Sequence, residues 1–258
     1  MKFCILASGS EGNCTYVEDS GGAAILVDAG ISMRRITNCL REIGRDYPSI
    51  EAVLISHEHS DHLKGAAVLA RRQDLPIYAS TGTIALVRRH LPEYTRFFSM
   101  NGHVMQFGNL QIEAFPVSHD ASETVGFRIS EGGQRIAIAT DLGHVDLAAL
   151  DYLRDCDAIV LESNHDVGML IEGPYPWDLK QRIKSLLGHL SNDQAAETLL
   201  EVAAPRLKRV VLAHLSRDNN RPDIAIERVR THLHDAGHTH IEVTAAKQSC
   251  PTCMFEVE

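Results

Sequence analysis

The sequence predicts a mixed α/β protein whose strands bring their carboxyl ends to one shared site. Three observations predict it. Apolar runs of strand length recur along the chain, helical patterns stand between them, and five of the runs lead into a histidine, aspartate or glutamate. Ligand sites in open α/β sheets gather at the carboxyl ends of strands because the loops there converge.

Residues 2–7 and 14–18 read as strands around the turn 8–13, and residues 23–27 as a third strand ending at Asp28-Ala29-Gly30. Two opening hairpins place an antiparallel edge at the start of the chain. Ser32 caps a helix over 33–43, with Ile36, Leu40 and Ile43 on one face and Gly44 as its stop. The apolar run 52–56 leads into His57-Glu58-His59-Ser60-Asp61-His62, and a helical pattern follows over 63–72. Residues 77–79 read as a strand and 83–91 as a helix. Gly108-Asn109 and Glu131-Gly132-Gly133 are hairpin turns. Strands over 115–118, 136–140, 158–161 and 210–213 run into His119, Asp141, Glu162 and His214. Residues 175–187 read as a helix interrupted by Gly188-His189-Leu190-Ser191. Ser191 with Gln194 forms a capping box that opens a helix to about residue 203.

The 258 residues have an ordinary globular composition and no linker or repeat, which predicts one domain over 1–258. Without an apolar run of membrane-span length or a signal-peptide pattern, the chain is expected to be cytoplasmic. Six scattered cysteines fit reduced thiols, and the lone Cys250-Pro251-Thr252-Cys253 pair has no second pair to complete a zinc site. A net charge of −9 argues against a protein that coats nucleic acid by bulk charge. It does not exclude a nuclease, because bound divalent ions reverse the local field.

Four of the six residues 57–62 are potential metal ligands. In an extended loop His57 and His59 point the same way, while Asp61 and His62 face a neighbouring position as a helix begins. That layout suits two ions. His57, His59 and His119 are expected to hold one, Asp61, His62 and His214 the other, and Asp141 to bridge. Taken alone, His119 and His214 could be satisfied core histidines and Asp141 a helix cap; beside the four-ligand loop they complete its coordination. Imidazole and carboxylate suit zinc or manganese and tolerate iron. Two such ions imply metal-assisted hydrolysis. The histidines at 232, 234, 238 and 240 have no strand feeding them and read as a solvated face. His103, His144 and His165 receive no role.

The motif H-E-H-S-D-H with His119, Thr140-Asp141 and His214 resembles the metallo-β-lactamase superfamily, over nearly the whole chain. Residues 7–13, 161–166, 188–192 and 214–220 are similar to the YycJ/VicX-like branch. The resemblance implies a four-layer αββα sandwich with a di-metal site at one edge. It further implies a DNA exonuclease acting on duplex ends from the 5′ side, with nucleic acid, not a membrane, as partner. By the same resemblance Asp61, Glu162 and His189 are the candidate catalytic residues, with Glu162 orienting His189 as general acid or phosphate ligand.

A phosphodiester substrate is also suggested by residues 188–192, where backbone N–H groups at a helix N-terminus and the Ser191 hydroxyl would form an anion site. His189, Ser191 and Asn192, with Arg217, Asn219 and Asn220 after His214, are the candidate phosphate contacts. The pairs Arg34-Arg35, Arg71-Arg72, Arg88-Arg89 and Lys208-Arg209 read as solvated helix faces. A small-ester hydrolase such as a thioesterase or lactonase, a non-catalytic nucleic-acid-binding scaffold and a redox di-iron protein are the alternatives.

Overall fold

A computed structural model describes residues 1–46, 49–91 and 93–257. Its strands are β1 (Lys2–Ala7), β2 (Cys14–Glu18), β3 (Ala24–Val27), β4 (Ile50–Ile55), β5 (Ile77–Ala79), β6 (Phe97–Ser99), β7 (Met105–Phe107), β8 (Leu110–Pro116), β9 (Val125–Glu131), β10 (Gln134–Ala139), β11 (Ala158–Glu162), β12 (Arg209–Ala213), β13 (Glu242–Ala245) and β14 (Phe255–Glu256). The helices are α1 (Met33–Glu42), α2 (Ser60–Leu63), α3 (Ala66–Gln73), α4 (Thr81–His90), α5 (Leu147–Leu153), α6 (Val167–Glu172), α7 (Trp177–Ile183), α8 (Asn192–Val202) and α9 (Pro222–Asp235).

The strands form two seven-stranded sheets, ordered β14-β1-β2-β3-β4-β5-β6 and β13-β12-β11-β10-β9-β8-β7. Each is antiparallel at one end and parallel at the other. The alternation of side chains along a strand decides which layer each residue fills. On β10 to β12, Ile136, Ile138, Val160 and Val211 join the core between the sheets. Their neighbours Ala137, Ile159, Leu161, Val210 and Leu212 pack under α5, α8 and α9. Ile36 and Leu40 of α1 and Leu69 of α3 cover the other sheet. This is the αββα sandwich expected from the resemblance.

Register places the site. Ala139 pairs with Leu161 and Glu162 with Ala213, so Asp141, Glu162 and His214 emerge in one row. Because β8 and β10 are both antiparallel to β9, the turn carrying His119 leaves the same end. In the first sheet Val27 pairs with Leu54, which sets Asp28 beside Ser56 and His57.

Several elements depart from the sequence reading. The helix expected over 63–72 is two, because Gly65 lies against Ala29 and Ile31: a Cβ there would sit 2.0 Å from the Ile31 carbonyl oxygen. The 175–187 helix shortens to α7. The strand pairing of β6 and β14 and the helices α5 and α6 had no clear local signal, whereas α9 is the C-terminal helix expected to carry His232 and His234. Thr252 hydrogen-bonds along β1, its N–H donating to Ile5 O at 3.0 Å and its Oγ1 accepting from Ile5 N at 3.1 Å, so the Cys250–Cys253 segment extends that edge. No helix among the described residues is long and apolar enough to cross a membrane.

Candidate metal centre

The seven residues expected as ligands converge. His57, His59 and His119 present ligand atoms within 4.8 Å of one another, as do Asp61, His62 and His214, and Asp141 joins His57 and His62 in a third such group. His57 and His62 are wholly buried, and His119, Asp141 and His214 nearly so.

Their imidazoles are aimed by outer partners. Nδ1 of His62 donates to Asp28 Oδ2 at 2.8 Å, that of His119 to Gly188 O at 3.2 Å and that of His214 to Glu162 Oε1 at 2.7 Å. His57 Nδ1 lies 3.0 Å from Ser56 Oγ. Fixing Nδ1–H in this way leaves Nε2 as a lone pair for a metal and sets the ring orientation. His59 is the exception, for its Nδ1 lies 3.3 Å from His119 Nε2, so Nδ1 is the atom it offers.

The donor set fits divalent cations on a direct observation. His57 Nε2 and His214 Nε2 are buried and have no hydrogen-bond partner. Leaving such atoms unmet costs about 1–3 kcal/mol each, unless something absent from the polypeptide meets them. His62 Nε2 approaches Asp141 Oδ2 to 2.9 Å and Asp61 Oδ2 to 3.6 Å, and His214 Nε2 also lies 3.6 Å from Asp61 Oδ2.

Backbone geometry aims the strand ends. Among the described residues five non-glycines have positive φ, and three of them, Asp28 (60°), Asp141 (59°) and His214 (53°), directly follow or closely trail β3, β10 and β12 at this site. Such conformations cost energy and persist where surrounding contacts impose them. The 61–62 backbone is likewise stitched in place, with Asn13 N donating to Asp61 O and Ala29 N to His62 O, at 2.7 and 2.9 Å. Gly30 lies so close that a Cβ would fall 1.5 Å from Asp61 O.

Electrostatics match this arrangement. Burial pushes His57 and His119 below the ordinary imidazole range. Burial also opposes the charged forms of His62 and His214, but Asp28 and Asp141 hold His62 well up, and Asp141, Asp61 and Glu162 raise His214 to about 10. Burial works against the Asp61 carboxylate, yet its contacts with His214 and His62 keep it low. The field that raises these imidazoles is the field a cation would meet.

Glu162 has a wider role than orienting His189. It is fully buried; Oε1 accepts from His189 Nδ1 at 2.9 Å and from His214 Nδ1 at 2.7 Å, and Oε2 accepts from the backbone N–H groups of Leu142 and Leu190, both at 3.1 Å. Burial opposes its ionisation, and the two histidines overcome it, holding the carboxyl at about 2. One side chain thereby ties together the loops after β10, β11 and β12 and the turn before α8.

The expected anion site at 188–192 is corrected by the hydrogen bonds. The N–H groups of His189, Leu190, Ser191, Asn192 and Gln194 donate to Ile183 O, Glu162 Oε2, Gln194 Oε1, His165 O and Ser191 Oγ. Ser191 is a buried capping residue, both halves of its capping box being formed. Asn192 and Asn220 bond to each other and to Ser163, and Asn219 is fully buried with its N–H on Ser216 Oγ. Ser191, Asn192, Asn219 and Asn220 therefore face the interior in this structure rather than the open site. Arg217 stays on the surface, paired with Glu11 at 2.8 Å. His189, about one-fifth exposed, is the member of this set that faces both the site and solvent.

Sequence reasoning missed Asp28, Ser56, Asn13 and Ser8. Asp28 accepts from Ser56 N and Oγ as well as from His62, and Ser8 Oγ accepts from His214 N at 2.7 Å. Asn13 Nδ2 lies 3.0 Å from His62 Nε2. Asp28 carried the signal of the other site residues, an acid closing an apolar strand, and read as a turn only because Ala29-Gly30 follow it. His144 lies outside the cluster, its Nδ1 3.0 Å from Leu186 O, and His165 is buried with its carbonyl on Asn192.

Comparison with known proteins agrees with this geometry. The family model described as β-lactamase superfamily domain matches residues 23–215. Exodeoxyribonuclease YycJ of Bacillus anthracis is 38% identical over 240 residues, spanning 92% of this chain and 90% of that protein. Exodeoxyribonuclease WalJ of Streptococcus pneumoniae is 40% identical over 231 residues, spanning 87% and 85%. The crystal structure of the metallo-β-lactamase fold protein YhfI from Bacillus subtilis superposes with a TM-score of 0.71 at 18% identity, covering 98% of this chain and 99% of that one. The buried histidine and carboxylate cluster at the strand ends, the αββα layers and these matches lead to one assignment: the chain belongs to the metallo-β-lactamase superfamily of hydrolases, in the branch of the YycJ and WalJ proteins.

Proposed function

We propose that the chain is a two-metal phosphodiesterase that removes nucleotides from DNA ends, working from the 5′ side and preferring duplex. The observation that carries the two-metal reading is the pair of ligand triads linked through Asp141, with buried ligand atoms that no protein group meets. The DNA substrate rests on the names of the relatives at 38–40% identity over most of the chain.

In this reading His57, His59 and His119 hold one ion, Asp61, His62 and His214 the other, and Asp141 both. Zinc and manganese suit the donor set, and iron is compatible with it. Bound there, two divalent ions supply Lewis acidity toward a phosphoryl oxygen and lower the pKa of water. The polypeptide supplies the rest. Asp61, part-exposed where His62, Asp141 and His214 are buried, orients the attacking water. His189 donates Nδ1–H to Glu162, which leaves Nε2 facing the substrate. Burial disfavours the charged imidazole, but the Glu162 carboxylate raises its affinity for a proton, so His189 can carry a proton at Nε2 to the leaving oxygen.

The test is metal-reconstituted protein offered end-labelled single- and double-stranded DNA and RNA, beside a thioester and a lactone. Stepwise shortening of duplex DNA is the expected result. Turnover of the esters alone rejects the proposal and moves the chain to the small-ester branch of the same chemistry.

A further inference from the structure

The basic residues that the sequence scatters over two helices meet in one groove beside the metal centre. A cleft of about 420 Å³ opens directly on Asp61 and is lined by Ser10, Gly30, Ser60, Arg35 and Lys64 and by Glu11, which is paired with Arg217. A second, of about 680 Å³, shares Ser32 and Lys64 with the first and continues between α1 and α3, past Arg34, Arg41 and Arg72. No carboxylate lines the second cleft among the described residues.

Two features set these cations apart. Elsewhere on the surface Arg45, Arg96, Arg128, Arg209 and Arg228 each sit against a carboxylate. Arg34, Arg41, Lys64 and Arg72 are exposed, and among the described residues none lies within 4.0 Å of a carboxylate oxygen. Arg34 and Arg35 also occupy the first turn of α1, which carries no acidic residue and where the helix dipole opposes positive charge. In a chain of net charge −9, a run of unpaired like charges against a helix N-terminus is unfavourable for the free protein. An anion lying in the groove relieves both repulsions.

We infer that this groove holds the phosphodiester backbone of the substrate strand as it leaves the metal centre. The inference rests on the nuclease reading for its substrate, and on the cleft and its charges for its location. Lys64 stands at the turn between α2 and α3, and from Ala66 to Arg72 α3 rises roughly 9 Å at 1.5 Å per residue. That matches about three phosphates along one strand at ~3.4 Å each. The groove therefore supplies substrate grip beside Asp61, which the 188–192 N–H groups, taken up within the protein, do not.

The experiment is fluorescence anisotropy of a short labelled duplex in EDTA, titrated with the full chain between about 50 and 200 mM salt. Each phosphate contact contributes a slope of about −0.9 in log K against log salt, so Lys64→Gln should weaken binding roughly eightfold at 0.1 M salt. Lys64→Arg should restore it. Combining Lys64→Gln with Arg34→Gln and Arg72→Gln should flatten the slope by about two to three units. All three side chains are exposed, so the fold is expected to survive, with a circular dichroism melt as the check. A charge-matched control, Arg154→Gln with Arg209→Gln and Arg228→Gln, takes the same charge from the end of α5, from β12 and from α9, none of which lines either cleft, and should leave the slope unchanged. The groove assignment is overturned if the Lys64 triple variant binds with wild-type affinity and slope, or if the control loses as much. The nuclease reading fails separately: a wild-type chain that binds duplex with the steep slope but never cleaves it with metal restored keeps the groove and loses the nuclease.

Discussion

Replacing Glu162 by glutamine isolates the residue on which the site's loops depend. Four donors point at this carboxylate, two imidazole N–H groups on Oε1 and two backbone N–H groups on Oε2. Glutamine keeps one acceptor oxygen and puts an NH2 group in place of the other. Whichever way it is turned, two buried donors lose their partner and face another donor. Each unmet buried donor costs about 1–3 kcal/mol. Removing a buried charge returns part of that, which puts the net loss at about 2–4 kcal/mol. Urea denaturation of the metal-free protein reads it as a fall in midpoint at unchanged m-value. Metal affinity, by competition with a chromogenic chelator, should fall about 10–100-fold because His214 is no longer held in its tautomer. A variant with wild-type midpoint and wild-type metal affinity would falsify the picture of Glu162 as the shared acceptor of both histidines.

Three further outcomes are expected. His189→Ala should keep its full metal content by elemental analysis while turnover falls about 10²–10⁴-fold; loss of one ion would make His189 a ligand instead. Gly30→Ala drives a methyl into the Asp61 carbonyl, so it should cost about 1–3 kcal/mol and lower the metal-to-protein ratio, whereas a fully loaded variant of unchanged stability would show that the 61–62 loop tolerates displacement. Burial opposes the Glu18 carboxylate, but Arg45 and Tyr16 hold it below its ordinary 4.5, so its contribution is present above that value and lost as the pH falls below it. Glu18→Gln should therefore lower stability at pH 7 and flatten the acid limb of a stability-against-pH curve; an unchanged acid limb would assign acid unfolding to other carboxylates.

What could be read from the chain alone was whatever depends on near neighbours. The alternation in His57-Glu58-His59 and the turn into Asp61-His62 are properties of six consecutive residues, and the structure brings them together with His119, Asp141 and His214. The hairpins at Gly108-Asn109 and Gly132-Gly133, and the capping box of Ser191 with Gln194, were legible for the same reason. The partners of each polar group were not. Residues 188–192 look like an anion site as long as their N–H groups are counted as free, and only the approach of Glu162, His165 and Ile183 shows that they are taken. Asp28 looks like a turn residue until β3 and β4 align it with His62. Arg34, Lys64 and Arg72 look like three solvated cations until the packing of α1 and α3 sets them along one groove. Periodicity and turn chemistry act over a few residues and are written locally. Strand register and the satisfaction of buried polar groups join segments that the chain keeps far apart, so the tertiary structure alone decides where each carboxylate, N–H group and cation is spent.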